Sequence, residues 1–350
     1  MPTSDRPPCA ERAACAAATR ALTEPFVPHD DGRVAVVVRD QLEAQLAELR
    51  ATIVDPRAGV FGPGSMVWTL ANDIALFAGG GRAALLQLAH PMVAYAIDHH
   101  SRTRADVLGR FRRTFDNVFA MVFGDLDAAL AAARRVHHIH ARVRGVIPEA
   151  VGAWAAGTPY HANDVDALRW VHATLVDTTL VIRDRLGGAL PLAVRDRYVV
   201  EMNRFAALFG IPRTLLPDSH AAHAAYMEEM LASGRIAVAP CAREMAAFLV
   251  GRRRPVPGGA QTPVGRLGEA LTHELLPPHL AAQLGLRGAP RRARAGIAVF
   301  GALYRRLPRA TVALPAAGEA LRRLTGERPS RLAGLTERLL DSLAQRSTGA

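Results

Sequence analysis

The 350-residue chain carries 50% hydrophobic but only 5% aromatic side chains, enough apolar surface for a sizeable core and a bias toward helix over sheet. Its formal net charge is +11 and every basic side chain is Arg, with one denser stretch at Arg291, Arg292 and Arg294 that has no interleaved aromatics to stack nucleic-acid bases. Cys9, Cys15 and Cys241 are too few and too scattered for a disulfide framework or a thiolate zinc site, and the lack of a C-x-x-C-H run excludes covalent c-type haem.

Residues 1–30 are rich in Pro, Ala and charge, which predicts a poorly ordered segment. They lack the unbroken apolar core of a secretory signal, so the expected location is the cytoplasm. A single helical domain is expected over 31–315, followed over 316–350 by a C-terminal helix and a frayed tail. Leu42, Leu46 and Leu49 share one helix face, and Phe61-Gly62-Pro63-Gly64-Ser65 is a turn. The longest apolar stretch, Val67 to Ile97, is interrupted by Asp73, Arg82 and His90 and so is no transmembrane segment. Gly79-Gly80-Gly81 breaks that stretch, and Arg82 to His100 reads as one buried helix. Further helical patterns cover 104–122, 126–146, 164–184, 192–209 and 219–232, without strand alternation or an internal repeat. A basic, Pro-containing stretch near 251–265 is a loop, and shorter helices follow. The fold class is therefore all-α.

Histidines are the most informative residues. At about 100° per residue, Leu126, Ala129, Leu130, Ala133, Val136, His140, Val143 and Ile147 form one stripe, with His137 at its edge and His138 facing solvent. An imidazole at the centre of an apolar face needs a partner. It is either a core histidine bonded to a backbone carbonyl or an axial ligand to a metal or haem iron. On the preceding helix Arg110 and Thr114 lie one turn apart, beside the stripe of Phe111, Phe115, Val118 and Val122. Arg110 is either a snorkelling surface residue or a carboxylate partner. His90 ends an apolar run, where its ring either caps a helix or lines a cavity. His172 falls on the face of Leu168 and Leu175, and Trp170 beside it is structural. Tyr160-His161-Ala162-Asn163-Asp164 starts a helix, with Asn163 or Asp164 as its cap.

Several signatures are rejected. His273-Glu274-Leu275-Leu276-Pro277 begins like a zincin motif, but Pro277 stands at the second His position. No Glu-x-x-His pair supports a di-iron bundle, and the Gly79–Gly81 run lacks the residues of a phosphate loop.

The ordered motifs resemble one family. They run Phe61-Gly62-Pro63-Gly64, Leu86-Gln87-Leu88-Ala89-His90-Pro91, His100-Ser101, Arg110-x-x-x-Thr114, Phe123-Gly124 and His140-Ala141-Arg142-Val143-Arg144-Gly145. Tyr160-His161-Ala162, Trp170-Val171-His172-Ala173-Thr174 and Gly210-Ile211-Pro212 complete the series. Over about residues 55–310 the chain resembles the MpaB/rubber-oxygenase (latex-clearing-protein) catalytic domain family, also catalogued as a domain of unknown function. The resemblance implies a globin-like all-α core around non-covalent haem b, with O₂ as co-substrate. It implies His140 as the proximal iron ligand and Arg110 and Thr114 as residues of the haem pocket and its chemistry. His90 and His172 match recurrent family positions and are carried as further cofactor-binding candidates. The expected function is a haem b-dependent oxygenase of a small, apolar, unsaturated substrate of prenylated or terpenoid type. The alternatives are a haem carrier or sensor without turnover and a helical interaction protein; no nucleic-acid partner is expected. The chain departs from rubber-cleaving members in lacking an export signal, and from fungal membrane-associated members in lacking their span.

Overall fold

A computed structural model describes residues 35–100, 107–252, 261–288 and 291–326. The expectations for residues 1–30, for the C-terminal tail and for most of the basic stretch near 251–265 fall outside them. The described chain is all-α but for one short hairpin. In order come α1 (Arg39–Ala51), α2 (Met66–Ala71), a 3₁₀ turn (Ile74–Gly79), α3 (Gly80–Leu88), α4 (Pro91–His100), α5 (Val107–Phe123) and α6 (Leu126–His140). The hairpin β1 (Arg144–Val146) and β2 (Pro159–His161) follows, then α7 (Val165–Ile182), a π-helical turn (Arg183–Gly187) and α8 (Leu192–Ala207). After these come α9 (His220–Ala232), α10 (Pro240–Leu249), α11 (Pro263–Leu275), α12 (Pro278–Gln283), α13 (Arg291–Tyr304), α14 (Arg309–Val312) and α15 (Pro315–Thr325).

Local chemistry explains most helix starts. Ser65, Asp125, Asp164 and Ser219 each accept a hydrogen bond from the backbone N–H three residues on, which satisfies one of the first-turn donors. Pro91 starts α4 and so divides the expected Arg82–His100 helix in two, with His90 at the break. The Gly run does not simply interrupt: Gly79 closes the 3₁₀ turn and Gly80 opens α3.

Helix α7 is the spine. Its Val165, Leu168, Val176 and Leu180 join the larger core cluster, built with α1, α2, α5, α6, α8 and α15. Trp170 and Ala173, on its other side, join a second cluster with α3, α4, α9, α10 and α12. A helix packed on opposite faces has no exposed side, and every residue of α7 is buried or half-buried. Its polar Asp177, Thr174 and His172 are taken up by bonds to neighbouring elements. Trp170 is fully buried and donates its indole N–H to the Leu86 carbonyl at 2.9 Å, the structural role expected of it. The pairing of α5 with α6 depends on a backbone contact below their connection. Gly59 has φ +77°, and a Cβ there would lie 2.0 Å from the Gly124 carbonyl oxygen.

The interior also holds charge. Asp73, fully buried, accepts from Arg183 in the π-helical turn and from the hydroxyl of Tyr304. Arg82, read in the sequence as an interruption, is buried as well. It bonds the Leu275 carbonyl at 2.8 Å, Thr178 Oγ1 at 2.8 Å and Asp177 Oδ2 at 2.5 Å, so its guanidinium ties α3 to α7 and α11.

Candidate active site

Helices α5 and α6 form an antiparallel pair joined at Gly124–Asp125. Arg135 donates to Asn117 Oδ1 from Nε at 3.1 Å and from Nη2 at 2.9 Å, which sets their register. Counting outward from that bond, the start of α5 lies level with the end of α6. The topology therefore brings the Arg110 backbone, Thr114 and His140 to one end of the pair. Thr114 is exposed and His140 half-buried; the side chain of Arg110 is outside the described set.

The stripe expected through Ile147 is corrected here. Leu126, Ala129, Leu130 and Ala133 are buried, but α6 stops at His140 and the chain turns into the hairpin. His140 thus occupies the last turn of its helix instead of the centre of a longer apolar face. A tight turn and a distant partner combine to end it: the Val143 N–H bonds the His140 carbonyl at 2.9 Å, and the Ala162 N–H, from the second strand, bonds the Val143 carbonyl at 2.9 Å, converting the next residues to a strand. The absence of strands expected from the sequence is corrected by the same hairpin, whose register pairs Arg144 with His161 and Gly145 with Tyr160. Three-residue strands are too short to show alternation.

Other imidazoles gather around this end. His99 Nδ1 lies 2.8 Å from the Tyr160 hydroxyl, and His100 Nε2 lies 2.9 Å from the Arg144 carbonyl, so the last turn of α4 is pinned to the hairpin. Burial, then the negative Asp98, pushes the Tyr160 phenol above its ordinary pKa, so it stays protonated. His137 Nε2 lies 2.9 Å from the Val37 carbonyl. His161 Nδ1 accepts from the Asn163 N–H at 2.9 Å, and burial followed by Arg144 lowers its pKa. Asn163, fully buried, donates from Nδ2 to the His137 carbonyl at 3.2 Å, one turn before His140. Asp164, not Asn163, caps α7. A shallow recess of about 370 Å³ opens on this face between Val36, Gly145, Val146, Pro159 and Tyr160, with Arg144 and His161 at its edge.

An apolar wall runs from the same end. Along α5, Phe115, Phe119 and Phe123 follow one another with tilted rings, 5.5 and 6.1 Å apart between ring centres. Phe77 meets Phe115 at 5.1 Å and Trp68 meets Phe123 edge-on at 5.1 Å. Phe115 was legible as part of the α5 stripe and Phe123 in the Phe123-Gly124 motif; Phe119 was not assigned, although its i, i+4 spacing to both carries the signal.

The two remaining sequence candidates lie elsewhere. His90 is fully buried in the second core cluster, its ring 5.3 Å from that of Trp154, and neither ring nitrogen has a hydrogen-bond partner among the described residues. Burial, with Arg235 adding to it, depresses its pKa to about 3. His172 is buried beside Phe205, with Nε2 3.0 Å from the Met202 carbonyl; burial lowers its pKa to about 4. His223, not singled out in the sequence, is a third buried imidazole, with Nε2 3.9 Å from Asp177 Oδ1 and a pKa lowered by burial to about 4.

A cofactor that takes a single imidazole from the protein, as haem does, would find that donor type in the half-buried His140 at the end of α6. Among the described residues no three of His, Cys, Asp or Glu come together as a bare ion would require. No described helix is long and apolar enough to cross a membrane.

The profile of one family, described as "ER-bound oxygenase mpaB/B'/Rubber oxygenase, catalytic domain", matches residues 67–312. No curated protein and no solved structure matched the chain.

Proposed function

Because the chain belongs to the mpaB/rubber oxygenase catalytic-domain family, and is thereby an oxygenase and an oxidoreductase, we propose that it is a haem b-dependent oxygenase of a small, apolar, unsaturated substrate. One observation carries the finer reading: the α5–α6 pair delivers Arg110, Thr114 and His140 to the same end, beside the aromatic wall of α5. In this reading His140 would hold the iron, and Arg110 and Thr114, one turn apart on α5, would bind an acidic edge of the cofactor. When bound, the haem supplies activation of O₂ for addition at the substrate's double bond.

The remaining work falls to the protein. Phe77, Phe115 and Phe119 exclude water and receive the apolar substrate chain. Tyr160 and His99, in hydrogen-bond contact at 2.8 Å, hold a proton between oxygen and Nδ1 at the hairpin. The bonds of Asn163 to the His137 carbonyl and of His100 to the Arg144 carbonyl keep the end of α6 and the hairpin in one arrangement. His172, whose Nε2 is taken by a backbone carbonyl, and His90, enclosed against Trp154, act in this reading through packing behind the site, without contacting the iron.

The test is an absorption spectrum of the protein expressed with a haem precursor. A Soret band that shifts on reduction and again with CO is the expected result, with His140→Ala abolishing stoichiometric haem. A colourless protein, or His140→Ala with an unchanged spectrum, overturns the reading. Product analysis under O₂ with terpenoid alkenes then separates an oxygenase acting on such substrates from a haem protein that does not turn them over.

A further inference from the structure

Helix α13 breaks the pattern expected of a surface helix. Its inner side packs on the π-helical turn after α7: a Cβ at Gly301 would lie 3.2 Å from the Arg185 carbonyl, and Tyr304 is buried with its hydroxyl on Asp73. The opposite side should then be polar. Instead Ala295 to Tyr304 contains no charged residue at all. Val299 and Leu303, one turn apart, are 59% and 58% exposed, and Leu307 extends the row past the helix end at 48%. Ala295 and Ala298 are exposed beside them.

Charge brackets this ridge. Arg291, Arg292 and Arg294 lie in the first turn of α13, and Arg305 and Arg306 follow its last, both exposed. From Leu275 to Gly318 the sequence contains seven Arg and no Asp or Glu. An exposed aliphatic row followed by the exposed Arg305 and Arg306, on a helix whose sequence opens with three further arginines, matches an acyl layer beneath anionic headgroups, because long basic side chains reach back to the phosphates while the row sinks past them. At 14 residues and about 1.5 Å per residue the helix is too short to cross a bilayer and suits lying in its plane.

We propose that α13 seats this protein on an anionic lipid surface, with Val299, Leu303 and Leu307 in the headgroup–acyl boundary and the flanking arginines on lipid phosphates. Two other occupants fit less well. Pairing with a second copy through the same face sets arginine clusters against arginine clusters whichever way the helices run. Nucleic acid matches the charge but makes no use of an aliphatic ridge, and Tyr304 is turned inward. The inference does not depend on the haem reading.

The experiment is co-sedimentation of the full chain with vesicles of phosphatidylcholine alone or with a third phosphatidylglycerol. Binding to the anionic vesicles alone is expected. The double variant Val299→Ser/Leu303→Ser, whose folding is checked by circular dichroism, should lose roughly tenfold in partitioning. Arg305→Ala and Arg306→Ala should each lose about fivefold, and added salt should mimic them. Any one of four results overturns the proposal. These are no binding to anionic vesicles, binding that the serine variant leaves intact, a dimer that this variant disperses without vesicle binding, or a preference for duplex DNA over vesicles.

Discussion

His90, His172 and His223 lie in the interior with at most 4% of their surface exposed, whereas His99, His100, His140 and His161 surround the hairpin end, half-buried or exposed. The same side chain meets opposite circumstances. In the interior, burial dominates and the pKa falls to about 3 for His90 and about 4 for His172 and His223, so these rings are neutral parts of the packing. At the hairpin end the rings of His99 and His100 tie α4 to the hairpin through a phenol and a carbonyl, and His161 accepts from the Asn163 N–H. The difference teaches that burial fixes the protonation state of the interior imidazoles, whereas those at the hairpin end keep part of their surface exposed.

Four experiments break or sharpen that division, from the largest effect on stability to the smallest. Asp73→Ala strands the buried Arg183 and removes the Tyr304 acceptor, so unfolding free energy from denaturant titration should fall by about 3–5 kcal/mol. A loss below about 1 kcal/mol would mean that the interior charges are not structural.

Acid comes next. The folded pKa values of His90, His172 and His223 lie below the ordinary value of 6.5. Their contribution to stability is therefore complete above about pH 6.5 and is lost as pH falls toward 4 and 3, by a few kcal/mol in all. His90→Phe removes a ring that has no hydrogen-bond partner among the described residues while keeping its contact with Trp154. That variant should flatten the acid slope of the thermal midpoint; an unchanged slope would take His90 out of the interior group.

Asp164→Ala removes the cap of α7 and should cost about 1 kcal/mol in thermal unfolding, with Asp164→Asn restoring most of it. The carboxyl has its pKa raised to about 6 by burial, so its protonated form favours the fold. The stabilisation from this shift is complete below about pH 4 and is lost as pH rises through 6, and Asn should abolish that dependence.

The smallest stability change belongs to His140→Ala, within about 0.5 kcal/mol because the ring is only half-buried at a helix end. Its effect on haem retention should be the largest of the four. Loss of several kcal/mol together with retained haem would invert the division.

Much of this was legible in residue order. The α1 and α5 stripes, the Gly62-Pro63-Gly64 turn and a cap at Asn163 or Asp164 follow from spacing and side-chain type, because each depends on residues within one or two turns, and the structure chose Asp164. Arg110, Thr114 and His140 were singled out on the same local grounds and through a family resemblance that the profile match supports at the level of the family. The Arg82–His100 stretch was read as a single helix because its apolar periodicity runs through the break, although Pro91 marked the boundary.

Sequence by itself therefore determined the all-α class and the helix faces, which arise from interactions between near neighbours. Only tertiary structure decided which histidines are buried, where α6 stops and what Arg82 binds. Those outcomes depend on partners far along the chain: Met202 for His172, Ala162 in the strand pairing after His140, and Asp177 and Leu275 for Arg82. Burial and hydrogen-bond satisfaction are set by such long-range packing, and periodicity, a short-range property, does not contain it.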